Sequence, residues 1–402
     1  MRKLYLIVVF VLLIGFNKAA TLEQDVDVIF VSGITGLVEK YYVYGNHFNL
    51  RVQIDLDDVE NVALVLYGQN IYEYPLLFTE NQKFTLATKI NKGIDLENLD
   101  IGEYQIFLRQ KKGSFEYYKL ENKTVYPQTV YYGMNNDNYL KKITITDNFK
   151  INVALIETPD DVYDIVIDPG HGGLDSGAVA GEYYERDLNL KYAEAIKQKL
   201  EKNGFRVKLT RDNNEDALPV YGNNGRVQYA YTTRAKLFFS LHFNSNSVTN
   251  QYRGLEIYVP NGIDIDFAKN LAKNIVETAG VDYSNFNLYK VAEGVYNRTL
   301  SSQDLVRIAE SLKALDIEPY ETPNLDTPYY FVLRETGGIV TNAYIDGRDY
   351  RREANPYYDA NIAPEAYLIE FGYMNNKYDL SNILNKQEGY VKGFVKGIMA
   401  RY

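Results

Sequence analysis

Ile165-Val166-Ile167-Asp168-Pro169-Gly170-His171 is the stretch on which the reading of this chain turns. A short apolar run ends in a histidine, and the pattern returns twice: Leu237-Phe238-Phe239-Ser240-Leu241 leads into His242, and Tyr367-Leu368-Ile369 leads into Glu370. Apolar runs of this length bounded by turn residues read as strands of a sheet. Open α/β sheets gather their sites outside the carboxyl ends of such strands, so two imidazoles and a carboxylate are expected at one rim. With three histidines and no cysteine in 402 residues, that placement carries more information than any count.

Working outward, a Gly-rich turn after His171 leads to a helix with Leu188, Tyr192, Ile196 and Leu200 in one row, the spacing that puts side chains on a single helical face. Asn203-Gly204 stops it, glycine supplying the left-handed cap. A strand over Phe205 to Thr210 completes a βαβ unit, followed by strands Leu237 to Leu241 and Leu255 to Val259 and a helix over Asp264 to Thr278. Residues 161–402 are therefore expected to form an α/β domain, a mixed sheet flanked by helices.

Before Thr158-Pro159-Asp160-Asp161, which reads as a linker, the period is two. Phe48, Leu50, Val52, Ile54 and Leu56 alternate with Asn49, Arg51, Gln53, Asp55 and Asp57, which puts the apolar set on one strand face. Further strands are expected at Val62 to Tyr67, Phe84 to Ile90, Tyr104 to Arg109 and Phe115 to Leu120. Hairpin turns are expected at Lys111-Lys112-Gly113 and at Asp147-Asn148. Residues 21–160 thus read as an all-β, antiparallel, immunoglobulin-like sandwich. His47 falls here, at a loop or strand edge, and the 38 tyrosines of the chain are β-formers before they are a glycan-binding surface.

The chain is long enough for two folded units. A net charge of -10 argues against a nucleic-acid partner, which would call on clustered Lys and Arg. Arg2 and Lys3 followed by apolar Leu4 to Phe16 read as an export signal within residues 1–20, too short to span a bilayer as a helix, which takes roughly 20 residues. The expected location is extracellular, with an uncleaved signal as the alternative anchor. Without cysteine, stability has to come from packing and from metal.

Gly170, Gly172 and Gly173 remove backbone bulk on both sides of His171, and Glu185 follows at the entry of the helix row. His171, Glu185 and His242 can share one ligand shell, leaving a tetrahedral position open for water. Zinc, one ion, suits these ligands, as iron or nickel would. Lowering the pKa of water from about 15.7 to about 7 is worth about 12 kcal/mol, whereas acid–base catalysis alone gives about 10²- to 10⁴-fold. Glu370 at the third strand end is the expected general base.

Val166 to Gly173, then Glu185-Arg186-Asp187-Leu188-Asn189-Leu190, then Ser240-Leu241-His242-Phe243-Asn244, and finally Leu368-Ile369-Glu370-Phe371-Gly372-Tyr373-Met374-Asn375-Asn376 resemble, in order, the motifs of the zinc-dependent N-acetylmuramoyl-L-alanine amidase family. The similarity spans roughly Asp164 to Tyr402 and takes in Arg211, Gly254-Leu255-Glu256 and Val332-Leu333-Arg334. The resemblance implies cleavage of the amide between N-acetylmuramic acid and the L-alanine of the stem peptide, with peptidoglycan as partner. It implies metal ligands His171, Glu185 and His242 and catalytic Glu370, and it favours Glu185 over Glu182 as ligand. A zinc peptidase acting within the stem peptide, or a non-catalytic wall-binding protein, are the alternatives. Arg334 reads as a substrate-carboxylate contact or a sheet ion pair, Asn244 as a brace after His242 or a substrate contact, and Glu256 as a cross-strand or surface partner. The β domain is expected to contact wall glycan or protein. Between the Val-Leu-Arg strand and Glu370, the family usually has little; here Glu335 to Glu365 intervenes, with Gly337-Gly338 and a charged arm, and reads as a lid or a solvated loop.

Overall fold

Period-two alternation builds the N-terminal region: Phe48, Leu50, Val52 and Ile54 are buried while Arg51 faces solvent. The computed structural model describes residues 28–55, 61–86, 92–112, 114–121, 128–132, 138–146, 148–215, 218, 225–314, 327–336 and 362–402. Strand His47–Gln53 pairs antiparallel with Val28–Tyr44, and hairpins join Gly102–Lys112 to Ser114–Glu121 and Tyr139–Ile145 to Lys150–Glu157. These belong to a thirteen-stranded sheet system wrapped around a core that includes Tyr41, Phe48, Leu64, Tyr104, Leu108, Tyr118 and Ile143. The N-terminal region is thus largely β.

Two features of it depart from the sequence expectation. The long strand Val28–Tyr44 is not legible from alternation, because Gly33 and Gly36 interrupt it, and it runs parallel to Ser114–Glu121, so the region is not purely antiparallel. The strand expected at Phe84 to Ile90 is the shorter Lys83–Thr85, and 87–91 lie outside the described residues. The export-signal reading of residues 1–20 also lies outside them. Among the described residues, no helix is long and apolar enough to cross a membrane.

In the C-terminal region the sheet order is Val207–Leu209, Ile165–Pro169, Leu237–Asn244, Glu365–Tyr373, Glu256–Tyr258, Val295–Tyr296, Lys290–Ala292. The first four strands are mutually parallel, and Glu256–Tyr258 runs antiparallel to Glu365–Tyr373, which makes the sheet mixed. All nine residues of Glu365–Tyr373 are buried, as a central strand with helices on both faces requires. On one face, Leu188, Tyr192, Ile196 and Leu200 of helix Glu185–Glu201 meet Leu271 and Ile275 of helix Asp266–Ala279 and Phe394 and Ile398 of helix Gln387–Met399. Tyr44 of the N-terminal region is packed into the same core.

The other face carries Val166, Phe238, Leu368, Tyr258 and Tyr296, covered by Ala230 of helix Arg226–Thr232 and by Val332 and Leu333. Since successive strand residues alternate faces, Asp168, Ser240, His242, Glu256 and Glu370 point to this second side. Val332-Leu333-Arg334, expected as a strand, lies in the helix Phe331–Thr336. Both edges of the Glu370 strand are already taken, by the His242 and Glu256 strands, and a short apolar run does not by itself distinguish strand from helix.

Candidate active site

The rim predicted from three apolar runs exists as strand register: Asp168 is opposite Ser240, and His242 is opposite Glu370, which in turn faces Glu256. His171 leaves its strand in the left-handed region, φ 62°, a conformation uncommon outside glycine. A buried cation holds it there. Arg226 donates through Nη2 to the His171 carbonyl (2.5 Å) and through Nη1 to Pro169 O (2.9 Å) and Asp168 Oδ1 (2.7 Å). Arg211 donates to Pro169 O and Gly170 O, both at 2.9 Å. Thr210 and Ser240 complete the shell of Asp168 at 2.7 and 2.8 Å. Burial pushes the Asp168 carboxyl up, but the Arg226 charge and these hydrogen bonds outweigh it and the group titrates below its usual range.

The His171 turn folds back onto helix Glu185–Glu201, so that His171, Glu185 and His242 meet. Glu185 Oε1 lies 2.9 Å from His242 Nδ1 and 3.1 Å from His171 Nε2, and the ligand atoms of the three lie within 4.8 Å of one another. The carboxylate is also held by backbone N–H groups, Ala178 donating to Oε2 at 2.8 Å and Phe243 to Oε1 at 3.1 Å. Two imidazole nitrogens and one carboxylate oxygen converging on one point form a donor set that fits a divalent metal ion. The outer nitrogen of His171, Nδ1, sits 2.8 Å from Asp175 Oδ2, as carboxylates do when they orient metal-binding imidazoles. Without metal, the cluster is an ion network. Burial raises the Glu185 carboxyl, yet hydrogen bonds from His171 and His242 leave it well below its ordinary value. Burial lowers the His171 imidazole, but Glu185 and then Asp175 outweigh it and the net shift is upward.

Glu370 is in the opposite condition. It is 7% exposed, its Oε2 is buried without a hydrogen-bond partner, and burial, then the charges of Glu185 and Glu256, push its carboxyl well above the usual range. A carboxyl in this condition, beside a candidate metal centre, holds a proton more readily than an ordinary carboxylate.

The remaining sequence candidates divide. Asn244 braces: its Nδ2 donates to Glu256 Oε2 (3.1 Å) and its Oδ1 accepts from Ser245 N (2.8 Å). Glu256 is fully buried, and also accepts from Tyr258 (2.8 Å), Ser284 (2.6 Å) and Tyr373 (2.5 Å); it is a cross-strand partner, and the surface alternative falls. Glu182 is exposed and outside the triad. The Arg334 side chain and the lid reading of 335–365, apart from its two ends, lie outside the described residues. Sequence reasoning missed Asp168 with Arg226, and Asp175. An aspartate inside an apolar strand was the available signal, since a buried charge demands a partner.

Residues 165–311 match the family model described as N-acetylmuramoyl-L-alanine amidase. Over 111 residues the chain is 35% identical to the N-acetylmuramoyl-L-alanine amidase LytC of Bacillus subtilis, covering 28% of this chain and 21% of that protein. Over 82 residues it is 45% identical to the N-acetylmuramoyl-L-alanine amidase AmiC of Escherichia coli, 19% of this chain and 18% of the relative. The solved catalytic domain of CwlV, an N-acetylmuramoyl-L-alanine amidase from Bacillus (Paenibacillus) polymyxa var. colistinus, aligns at 22% identity and a TM-score of 0.39, covering 60% of this chain and 98% of that one. The chain spans between 21% and 51% of the length of the curated relatives it matches first. The likeness to N-acetylmuramoyl-L-alanine amidases is thus carried by residues 165–311, the part of the chain that matches the family model.

Proposed function

We propose that this chain is an exported peptidoglycan hydrolase that cleaves the amide between N-acetylmuramic acid and the L-alanine of the stem peptide. The observation that carries the reading is the convergence of His171, Glu185 and His242 beside a buried, unpaired Glu370. In this reading residues 161–402 are the catalytic domain, 21–160 an accessory immunoglobulin-like sandwich that contacts wall glycan or protein, and 1–20 the export signal.

His171, Glu185 and His242 would hold one zinc ion. When bound, zinc acidifies water and polarises a carbonyl as a Lewis acid. The chain's own residues do the rest. Glu370 takes the proton of the attacking water, the step its raised carboxyl favours, and then delivers it to the departing amine of L-alanine. Asp175 keeps the His171 ring turned inward, and Arg226 and Arg211 fix the strained turn that presents it. Arg334 is proposed as a contact to a stem-peptide carboxylate, and Asn244 acts through Glu256.

The test is metal analysis with muropeptide digestion by wild type and Glu370→Gln. Expected are one zinc in both proteins, new L-alanine amino termini without new reducing ends from wild type, and neither from the variant. Amino termini inside the stem peptide would make it a peptidase, and no cleavage with metal bound would make it a wall-binding protein.

A further inference from the structure

We propose that the N-terminal unit is a working part of the active site, because its turn Tyr44 to His47 grips the strand that carries Glu370; Glu365 and Arg401 are the positioning residues of that grip. The inference rests on the amidase reading above and extends it to residues that the family match does not reach.

The chain reaches the Glu370 strand from the N-terminal sheet. Ile362–Ala363 first lies parallel to Val43 and Tyr44 as an added strand of the N-terminal sheet. Two residues on, the chain enters the catalytic sheet at Glu365, and the Ala366 N–H donates to the Tyr44 hydroxyl at 3.1 Å. Glu365 is fully buried. Arg401 holds it with both arms, Nη1 to Oε2 at 2.6 Å and Nη2 to Oε1 at 2.7 Å, and the same Nη2 reaches Asn46 Oδ1 at 2.9 Å. Tyr367 donates to Oε2 at 2.9 Å, and His47 Nδ1 stands 3.8 Å from Oε1. One guanidinium thus clamps the foot of the strand to a turn of the other unit.

That turn touches the carboxylate itself. Gly45 adopts φ +58°, and a Cβ there would stand 2.5 Å from Glu365 Oε1 and 2.6 Å from its Cγ. The strand above is buried throughout and hydrogen-bonded on both sides, so it moves as a unit. Glu370 lies five residues and about 17 Å along it. Misplacing a reacting group by about 1 Å costs about 10²-fold in rate, and a shift at the foot has little else to move.

Two glycines of the N-terminal unit separate this from general interface stability. Gly33 is also left-handed, φ +85°, but a Cβ there meets nothing within 4 Å. Alanine therefore brings backbone strain at both positions and pressure on Glu365 only at Gly45. In the full chain, kcat, KM for muropeptides, zinc content and melting temperature are measured for Gly45→Ala, Gly33→Ala and Arg401→Lys, the last keeping the charge and losing the two-armed fork. Expected is a fall in kcat of about tenfold or more for Gly45→Ala and Arg401→Lys, with KM and zinc content unchanged, and wild-type kcat for Gly33→Ala. A kcat within twofold of wild type in a folded Gly45→Ala protein overturns the proposal, as does an equal fall in Gly33→Ala. If Gly45→Ala does not fold, Arg401→Lys decides alone by the same criterion. An inactive wild type would sink the amidase reading and not this one, which is then decided by amide hydrogen exchange over residues 366–372. Faster exchange in Gly45→Ala than in Gly33→Ala is expected, and equal exchange overturns it.

Discussion

One strand carries two buried glutamates five residues apart, and they live in opposite electrostatic worlds. Burial raises the carboxyl of Glu365, but the charge and hydrogen bonds of Arg401 more than reverse it and hold the group well below the ordinary range. Glu370 meets the same burial, with Glu185 and Glu256 as its charged neighbours, and is driven well above that range. Burial sets the stakes; the presence or absence of a cation decides the outcome. The foot of the strand is an anchor because its acid is satisfied, and the tip is suited to chemistry because its acid is not.

The sharpest way to break the comparison is at the tip. Glu370→Gln is expected to lower kcat by about 10²- to 10⁴-fold, with zinc retained and the melting temperature not lowered, because the amide removes an unpaired buried acid; steady-state kinetics with metal analysis and a thermal melt check both halves. At the foot, Arg401→Ala leaves Glu365 buried without its cation and is expected to cost about 3–5 kcal/mol of stability, read by denaturant unfolding. Replacing both partners together, Glu365→Gln with Arg401→Met, should restore a large part of that loss. Asp175→Asn tests the third environment, a carboxylate held against the His171 ring, and under the proposed function is expected to weaken zinc binding by about 10- to 100-fold in a competition titration with a chromogenic chelator.

The smallest effect is the most diagnostic. In metal-free protein the stability due to Glu365 is present above the unfolded carboxyl pKa of about 4.3 and is lost as pH falls through its depressed folded value. The contribution of Glu370 has the reverse sign, complete below about 4.3 and lost as pH rises toward its elevated folded value. Melting temperature against pH should therefore lose its acid-side slope in Arg401→Ala and its rising-pH loss in Glu370→Gln. Identical profiles in the two variants would erase the distinction.

What the sequence disclosed and what it withheld follow from range. His242 and Glu370 were legible because each directly follows its own apolar run, His171 because it closes the turn just after one, and Glu185 because it opens a helix with a clear apolar row. The two hairpins of the N-terminal region were legible for the same reason, alternation broken by turn residues. Arg401 and Glu365, or Arg226 and Asp168, are partners separated by 36 and 58 positions; no local pattern joins them, and only the folded sheet brings them into contact. Val332-Leu333-Arg334 reads as a strand because three neighbouring residues fit a strand or one turn of helix equally well, and the deciding fact, that the sheet has no free edge there, is tertiary.

Gly170 and Gly177 flank the cluster of His171, Glu185 and His242, and a side chain at either would occupy the space its members use. A Cβ on Gly170 would run into the His242 imidazole, and one on Gly177 would stand 2.6 Å from both Glu185 Oε2 and His171 Cδ2. A lone methyl group is therefore enough to push one member of the triad out of place while every donor atom stays in the chain. Alanine at position 170 should yield a silent decoy, its outer surface and Glu370 unchanged and His242 displaced from Glu185.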